Sequence, residues 1–279
     1  MQLLAPPAGR LARTLASLRR IALALAAAYV AFLGWLWWDQ EALLFHPEPL
    51  PASHDFRLPA DVHELAIPVA GATLSALHLR LPRPRAVVFY LHGNGGNLDG
   101  WFSNHDFHRQ ANVDLFMIDY RGYGKSSGGN VNQFQLLQDV RAAWAAMAAA
   151  YPGQVPKVVI GRSLGSGPAA ILAAEVQPAL TVLISPYCSL AELARRHYPI
   201  VPTALLRYPL DTCAAAPGIQ GPLLLLHGDR DTLVPLEQSR RIQTRAPRAE
   251  LVAIAGAGHD DVHRFDQYRD VLQQRLQRF

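Results

Sequence analysis

The sequence predicts an α/β protein: a mostly parallel central sheet flanked by helices, with a transmembrane helix ahead of it. Three observations carry that expectation. Short, wholly apolar runs of strand length recur from Ala86 onward, as strands buried on both faces require. Helix-length stretches such as Gln133–Ala150 lie between them, the alternation that builds parallel sheets. Ile21–Trp38 carries no charge and would span about 27 Å as a helix, close to the hydrocarbon thickness of a bilayer. With 279 residues, half of them hydrophobic, the chain can bury a sizeable core.

The charge is local. The chain has 26 basic and 22 acidic residues, a net +4, and a sequence pI near 9.3. Arg10, Arg13, Arg19 and Arg20 stand in the first twenty residues without an acid. They account for the whole excess and leave 22 basic against 22 acidic residues in the rest. A nucleic-acid binder needs a basic face on its folded domain, so no nucleic-acid partner is expected. Residues 1–20 read as a basic cytoplasmic tail and 21–38 as an uncleaved signal anchor. Trp35, Trp37 and Trp38 gather at its far end, where an interfacial belt lies, and such bulky residues suit signal cleavage poorly. Asp39, Glu41 and Glu48 follow. The positive-inside rule then puts the remaining chain outside the cytoplasm, as in a bacterial inner-membrane protein facing the periplasm. Residues 39–60 are proline-rich and read as a linker packed on the globular domain, 61–279.

Within that domain, Leu65–Val69 and Thr73–Leu81 around Ala70-Gly71-Ala72 predict a β-hairpin. Ala86–Leu91 is a buried strand ending in His92-Gly93-Asn94-Gly95-Gly96-Asn97. A glycine-rich loop at such an end exposes backbone N–H groups. Asn94, and after it Gly95, is the candidate donor to an oxyanion. The loop lacks the G-K-[ST] ending and the G-x-G-x-x-G spacing of phosphate-cradling loops. His92 reads as a brace for this loop. His105 and His108 lie on a predicted helix, and no metal is needed to explain them. Val113–Ile118 is the next strand and runs into Asp119–Ser126, D-Y-R-G-Y-G-K-S. There Asp119 is expected to hold loop backbone and Arg121. Gln133–Ala150 is an alanine-rich helix that stops at Tyr151-Pro152-Gly153.

Val158–Ile160 then ends in Gly161-Arg162-Ser163-Leu164-Gly165, and a small-residue helix begins at once. Strand, G-x-S-x-G, helix is the context of a nucleophile elbow. The serine needs a sharp turn to stand clear of the backbone, and the glycines let strand and helix approach. Leu164 would offer its N–H to an oxyanion near the helix N-terminus. Leu180–Ser185 is the following strand. Between Pro186 and Pro217 the rhythm stops, with Tyr187, Tyr198, Tyr208 and four prolines, Pro186, Pro199, Pro202 and Pro209. A lid would lie at this place, with Tyr187 and Tyr198 as candidate substrate contacts. Cys188 and Cys213, the only cysteines, fall inside it. An extracytoplasmic domain permits their pairing, and spacing alone does not decide it. Leu223–Leu226 is a strand ending in His227-Gly228-Asp229-Arg230-Asp231, Leu236–Ala246 a helix, and Leu251–Ile254 the last strand, before Gly256-Ala257-Gly258-His259-Asp260-Asp261. A final helix runs to about Gln277.

Ser163, an aspartate at 229 or 231, and His259 thus each follow a predicted buried strand, in the order serine, acid, histidine. In a parallel sheet those ends share one edge. The histidine would take the serine's proton and the carboxylate would fix the imidazole's tautomer.

With these residues in place, the chain resembles the α/β-hydrolase superfamily of serine hydrolases. It is most similar to the membrane-anchored subgroup related to monoacylglycerol lipases and serine aminopeptidases. Leu43-Leu44-Phe45-His46-Pro47, the H-G-N-x-G-N loop, D-Y-R-G-Y-G-K-S, G-R-S-L-G-S-G, S-P-Y-x-S-L, H-G-D-x-D-x-x-V-P and G-x-G-H stand in its order, from about residue 41 to 275. The resemblance implies the α/β-hydrolase fold with a small lid at about 186–217, and makes Asp231 the acid. Asp260 departs from the pattern, because these proteins often have asparagine after the histidine. It is expected to point outward, since an inward carboxylate would raise the histidine's pKa. The expected activity is hydrolysis of carboxylic (acyl) esters at a membrane, lipid-like because of the tether, through an acyl-enzyme and without metal or cofactor. The same triad serves an aminopeptidase or a thioesterase-like deacylase. A non-catalytic anchored scaffold is disfavoured by the presence of all three residues. Dehalogenase and epoxide-hydrolase chemistry are disfavoured by serine at the elbow.

Overall fold

The computed structural model describes residues 8–129, 132–153 and 155–279. It divides into two units, Met1–Leu43 and Leu44–Phe279. In the first, one helix, α1, runs over Ala8–Trp38. It begins well before Ile21, because the alanine-, leucine- and arginine-rich stretch favours helix and holds no proline. The arginine-bearing segment from residue 8 is therefore part of α1; the first seven residues of the predicted tail lie outside the described residues. Within α1, Ala12–Trp38 is long and apolar enough to cross a membrane. A short helix, α2 (Gln40–Leu44), follows in the chain.

The second unit is built on one eight-stranded sheet. Its strands are β1 (Val62–Val69), β2 (Ala72–Leu79), β3 (Val87–Leu91), β4 (Asp114–Ile118), β5 (Lys157–Arg162), β6 (Leu180–Ile184), β7 (Leu223–Gly228) and β8 (Glu250–Ile254), in the order β1-β2-β4-β3-β5-β6-β7-β8. The expected hairpin closes at Val69↔Ala72, and β2 also pairs antiparallel with β4; every later pairing is parallel. All residues of β3, β4 and β6 are buried, which is why these strands read as unbroken apolar runs. β1 starts three residues before the apolar pattern does. It is an edge strand with His63 and Glu64 exposed, so its sequence carries no such run.

The remaining helices are α3 (Leu98–Trp101), α4 (His105–Gln110), α5 (Gln133–Ala149), α6 (Ser166–Val176), α7 (Leu190–His197), α8 (Thr212–Ala215), α9 (Glu237–Arg245) and α10 (Asp266–Leu276). Successive strand residues point to opposite faces and feed two cores. Phe89, Phe116 and Val159 pack with Val140, Met147 and Ala173 of α5 and α6. Tyr90, Met117 and Ile160 pack with Phe102, Tyr268 and Leu272 on the other side. From β3 the chain proceeds to β4 on one side, while β5 lies on the other. The loops after β3 and β5 therefore meet where strand order reverses, the usual place for a site in such sheets.

Two features tie peripheral chain to this edge. Residues 186–217 carry α7, α8 and a turn at Thr203–Leu205. Their ends are joined by the Cys188–Cys213 disulfide, with Cα atoms 4.8 Å apart. A crosslink over a loop of this length is worth about 3 kcal/mol. Residues 45–50 lie along the glycine-rich loops. Glu48 N–H donates to Gly96 O at 3.3 Å, Asn97 Nδ2 to Glu48 O at 2.8 Å, and Leu50 N–H to Gly124 O at 2.8 Å. Phe45 is buried with its ring edge-on to Tyr208, 5.0 Å between centroids.

Candidate active site

β5 ends at a turn that few sequences tolerate. Ser163 has φ +49°, in the left-handed region that non-glycine residues avoid, and such strain gathers at functional positions. A turn over Ser163–Gly165 then leads into α6. A Cβ on Gly165 would lie 2.2 Å from the carbonyl oxygen of Leu91, and one on Gly161 2.4 Å from the Cβ of Ala169. Only glycine lets the turn press against both the end of β3 and its own helix. Ser166 Oγ donates to Ser163 O at 2.6 Å, and the buried Tyr187 hydroxyl to Leu164 O at 3.0 Å. Tyr187 thus supports the elbow from below, whereas Tyr198, the other lid candidate, is 62% exposed.

Ser163 Oγ lies 2.8 Å from His259 Nε2, and His259 Nδ1 lies 2.7 Å from Asp231 Oδ2. The three side chains come from loops after β5, β8 and β7. Asp231 Oδ1 accepts the N–H groups of Leu233 at 3.0 Å and Val234 at 2.8 Å. Burial alone would raise the Asp231 pKa, but hydrogen bonds from His227, His259 and the Val234 N–H outweigh it and hold the carboxyl far below its ordinary value. An ionised Asp231 keeps the imidazole proton on Nδ1 and leaves Nε2 free to accept from the serine. His227 is fully buried between Ser239 Oγ at 2.6 Å and Val234 O at 2.7 Å, 3.3 Å from Asp231 Oδ2. His227 stands in the H-G-D-x-D motif, but nothing in the sequence gives it a role. Asp229 serves elsewhere: its Oδ1 accepts the Gly256 N–H at 2.7 Å and steadies the loop that carries His259.

The glycine-rich loop after β3 faces the elbow. Asn94 Oδ1 accepts from His46 N–H at 2.9 Å, Gly95 N–H at 3.0 Å and the Tyr123 hydroxyl at 3.0 Å. Those bonds fix the residue whose backbone N–H is the oxyanion candidate, and Leu164 lies in the turn that leads into α6, where helical N–H groups lack intrahelical partners. His92 is buried, its Nδ1 2.8 Å from Gly93 O and its ring between Trp101 and Tyr120. Of the two expected partners of Asp119, loop backbone and Arg121, the structure shows the first and not the second. Arg121 forms a bidentate pair with Asp139 of α5 (Nε–Oδ2 2.6 Å, Nη2–Oδ1 2.9 Å). Asp119 Oδ1 instead accepts the Leu98 N–H at 3.0 Å, and lies 3.5 Å from His92 Nε2. The guanidinium prefers the helix carboxylate because both forks match there. His105 Nδ1 and His108 Nδ1 face carbonyls of their own helical stretch. Among the described residues no group of three His, Cys, Asp or Glu is placed to hold a metal. Asp260 is exposed.

Arg162 and Asp260, the chain neighbours of Ser163 and His259, line a cavity of about 390 Å³. Trp101 lines it as well, together with the buried Tyr90, Met117 and Tyr268.

The family described as serine aminopeptidase, S33, matches residues 82–208. Alpha/beta hydrolase domain-containing protein 17B of Homo sapiens is 30% identical over 208 residues, covering 73% of this chain and 71% of that protein. Protein 17C of Xenopus tropicalis is 31% identical over 212 residues (73% and 66%), and that of Homo sapiens 31% over 200 (69% and 58%). The chain thus spans about two thirds or less of the 17C relatives it matches. Among solved structures, an esterase of Pyrococcus furiosus superposes with a TM-score of 0.67 at 21% identity, over 84% of this chain and 99% of that one. Est1E of Butyrivibrio proteoclasticus, with ferulic acid bound, gives 0.63 at 20% identity, over 77% and 97%. These two likenesses establish the fold.

Proposed function

Since the chain belongs to the α/β-hydrolase family of serine hydrolases, we propose that it cleaves carboxylic (acyl) esters through an acyl-enzyme, with Ser163 as nucleophile, His259 as base and then acid, and Asp231 as the imidazole's partner. The observation that carries this reading is the relay from Ser163 Oγ through His259 to Asp231, with links of 2.8 and 2.7 Å. Ser163 Oγ gives its proton to His259 Nε2 as it attacks the acyl carbon. The carbonyl oxygen takes the negative charge and is held by the N–H groups of Leu164 and Asn94; one such donor is worth about 3 kcal/mol in the barrier. The imidazolium, steadied by Asp231, then protonates the leaving alkoxide. Water, deprotonated by the same Nε2, cleaves the acyl-serine and restores the resting state. None of these steps calls on a metal or cofactor.

The aromatic and apolar lining of the cavity supports an apolar group in the substrate, and a helix able to cross a membrane supports a lipid-like one. The test is a panel of p-nitrophenyl esters from acetate to palmitate, read beside covalent labelling by a fluorophosphonate. We expect labelling of Ser163 and a rate maximum above acetate. Folded protein that neither labels nor hydrolyses any ester overturns the proposal. An amide reading has its own support: the family's description as an aminopeptidase, and Glu48 and Asp260 on the cavity wall, where an amine would meet carboxylates. Cleavage of aminoacyl nitroanilides with silent esters would establish it. A thioester needs no further residue, since the same acyl carbon is attacked.

The same reading puts the catalytic unit on the extracytoplasmic side, with the N-terminus inside. The arginines ahead of Ile21 support it, as does the Cys188–Cys213 disulfide, a bond that persists in oxidising compartments. In membranes whose thiols are blocked at lysis, both cysteines should take up maleimide only after reduction. Prompt alkylation without a reductant would place the domain on the reducing side.

A further inference from the structure

The residue before the candidate nucleophile is free in the G-x-S-x-G pattern, and here it is an arginine in contact with the loop after β8 and with Trp101 of α3. Arg162 Nη2 donates to Asp260 O at 3.0 Å and His259 O at 3.3 Å, and Nη1 lies 3.3 Å from His263 Nδ1. Its Cζ sits 5.2 Å from the centre of the Trp101 ring. Trp101 in turn donates from Nε1 to Gly95 O at 2.9 Å and stacks on His92, centroids 5.6 Å apart. A Cβ on Gly93 would come within 3.1 Å of the same indole, so the loop is shaped to receive it.

We propose that Arg162 is a positioning residue that couples the loop bearing His259 to the glycine-rich loop bearing Asn94, through the Trp101 indole. The proposal rests on the triad reading above. A guanidinium suits the task because it is planar and its charge is spread: it donates to two carbonyls while its cationic centre sits over an aromatic ring. A lysine ammonium has no such face. The two loops would supply the base and one oxyanion donor, and both must be right at the same moment. Displacing such groups by about 1 Å costs on the order of 100-fold in rate. The His259 loop has other supports, Asp261 Oδ1 accepting the Gly258 N–H at 2.7 Å and Asp229 Oδ1 the Gly256 N–H at 2.7 Å. Loss of Arg162 therefore loosens the alignment of a loop that remains folded.

The experiment compares Arg162→Ala, Arg162→Lys and Trp101→Phe with wild type in full-length protein. It reads kcat and KM for the preferred ester, the rate of fluorophosphonate labelling, and the unfolding midpoint. Arg162→Ala should lower kcat by about 30-fold, with labelling falling in parallel and the midpoint nearly unchanged. Arg162→Lys should not restore it, whereas added methylguanidine should raise the rate of Arg162→Ala and not of wild type. Trp101→Phe keeps the stacking face but loses the bond to Gly95, and its effect combined with Arg162→Ala should fall short of the product of the two. A kcat within about twofold of wild type, a loss confined to KM, or a loss that tracks the midpoint and resists methylguanidine overturns the proposal. A wild type that neither labels nor hydrolyses would instead defeat the triad reading beneath it.

Discussion

Ser163→Ala is expected to lower kcat for the preferred ester by about 10⁶-fold, and His259→Ala by a similar factor, with the double variant no worse than either. The non-additivity follows from the geometry. Ser163 Oγ and His259 Nε2 are 2.8 Å apart, and in the proposed mechanism the proton passes between them as the serine attacks, so neither group would act without the other. The acid divides more sharply. Asp231→Asn keeps the shape but offers an amide where Nδ1–H needs an acceptor, so the wrong tautomer is favoured and kcat should fall about 10⁴-fold. Asp229→Asn should leave kcat near wild type, because the amide oxygen can still accept the Gly256 N–H and the side chain does not meet the imidazole. Turnover numbers corrected by active-site titration decide the matter. A larger loss in Asp229→Asn than in Asp231→Asn would reassign the acid, and full activity in Ser163→Ala would remove the mechanism.

Gly165→Ala should cost more than 4 kcal/mol of stability or prevent folding altogether. A methyl there would stand 2.2 Å from Leu91 O and 2.5 Å from His92 O, and both obstacles are backbone at the end of a buried strand. Neither can move without dragging β3 and the loop after it, so the collision has no soft partner to absorb it. Gly100→Ala is the matched control. Its Cβ would meet nothing within 4 Å, and the position lies in α3, where alanine is the better helix former. Urea midpoints for the two variants should differ widely; similar midpoints would show that the elbow can move away from β3 at little cost.

The buried strands were legible because their burial is two-sided. A strand such as β4 must be apolar at every position, and its sequence says so without reference to anything distant. β1 was half hidden for the opposite reason: at an exposed edge, His63 and Glu64 cost nothing and break the pattern. The elbow was legible because its glycines answer to steric demands within a few residues of chain. Arg121 was not, since its partner Asp139 sits on a helix eighteen residues away and looks, in the sequence, like any other surface acid. His227 and Arg162 were out of reach for a related reason. What each does is set by backbone carbonyls and rings that only packing brings near, and no local spacing marks them.

Residues 45–50 have a consequence for any cut that would free the enzyme from its helix. His46 supplies one of the three donors that hold the Asn94 side chain, and Glu48 is bonded to both the Gly96 and the Gly124 stretches. Phe45 closes over Tyr208. A protease that severed the chain near residue 60 would therefore release a body stripped of part of the edge that carries the candidate site, while a cut ahead of Phe45 would shed the N-terminal helix and leave that edge whole. The boundary between leash and catalyst lies some fifteen residues earlier than the first strand of the sheet, about where a reader of the sequence would still see only linker.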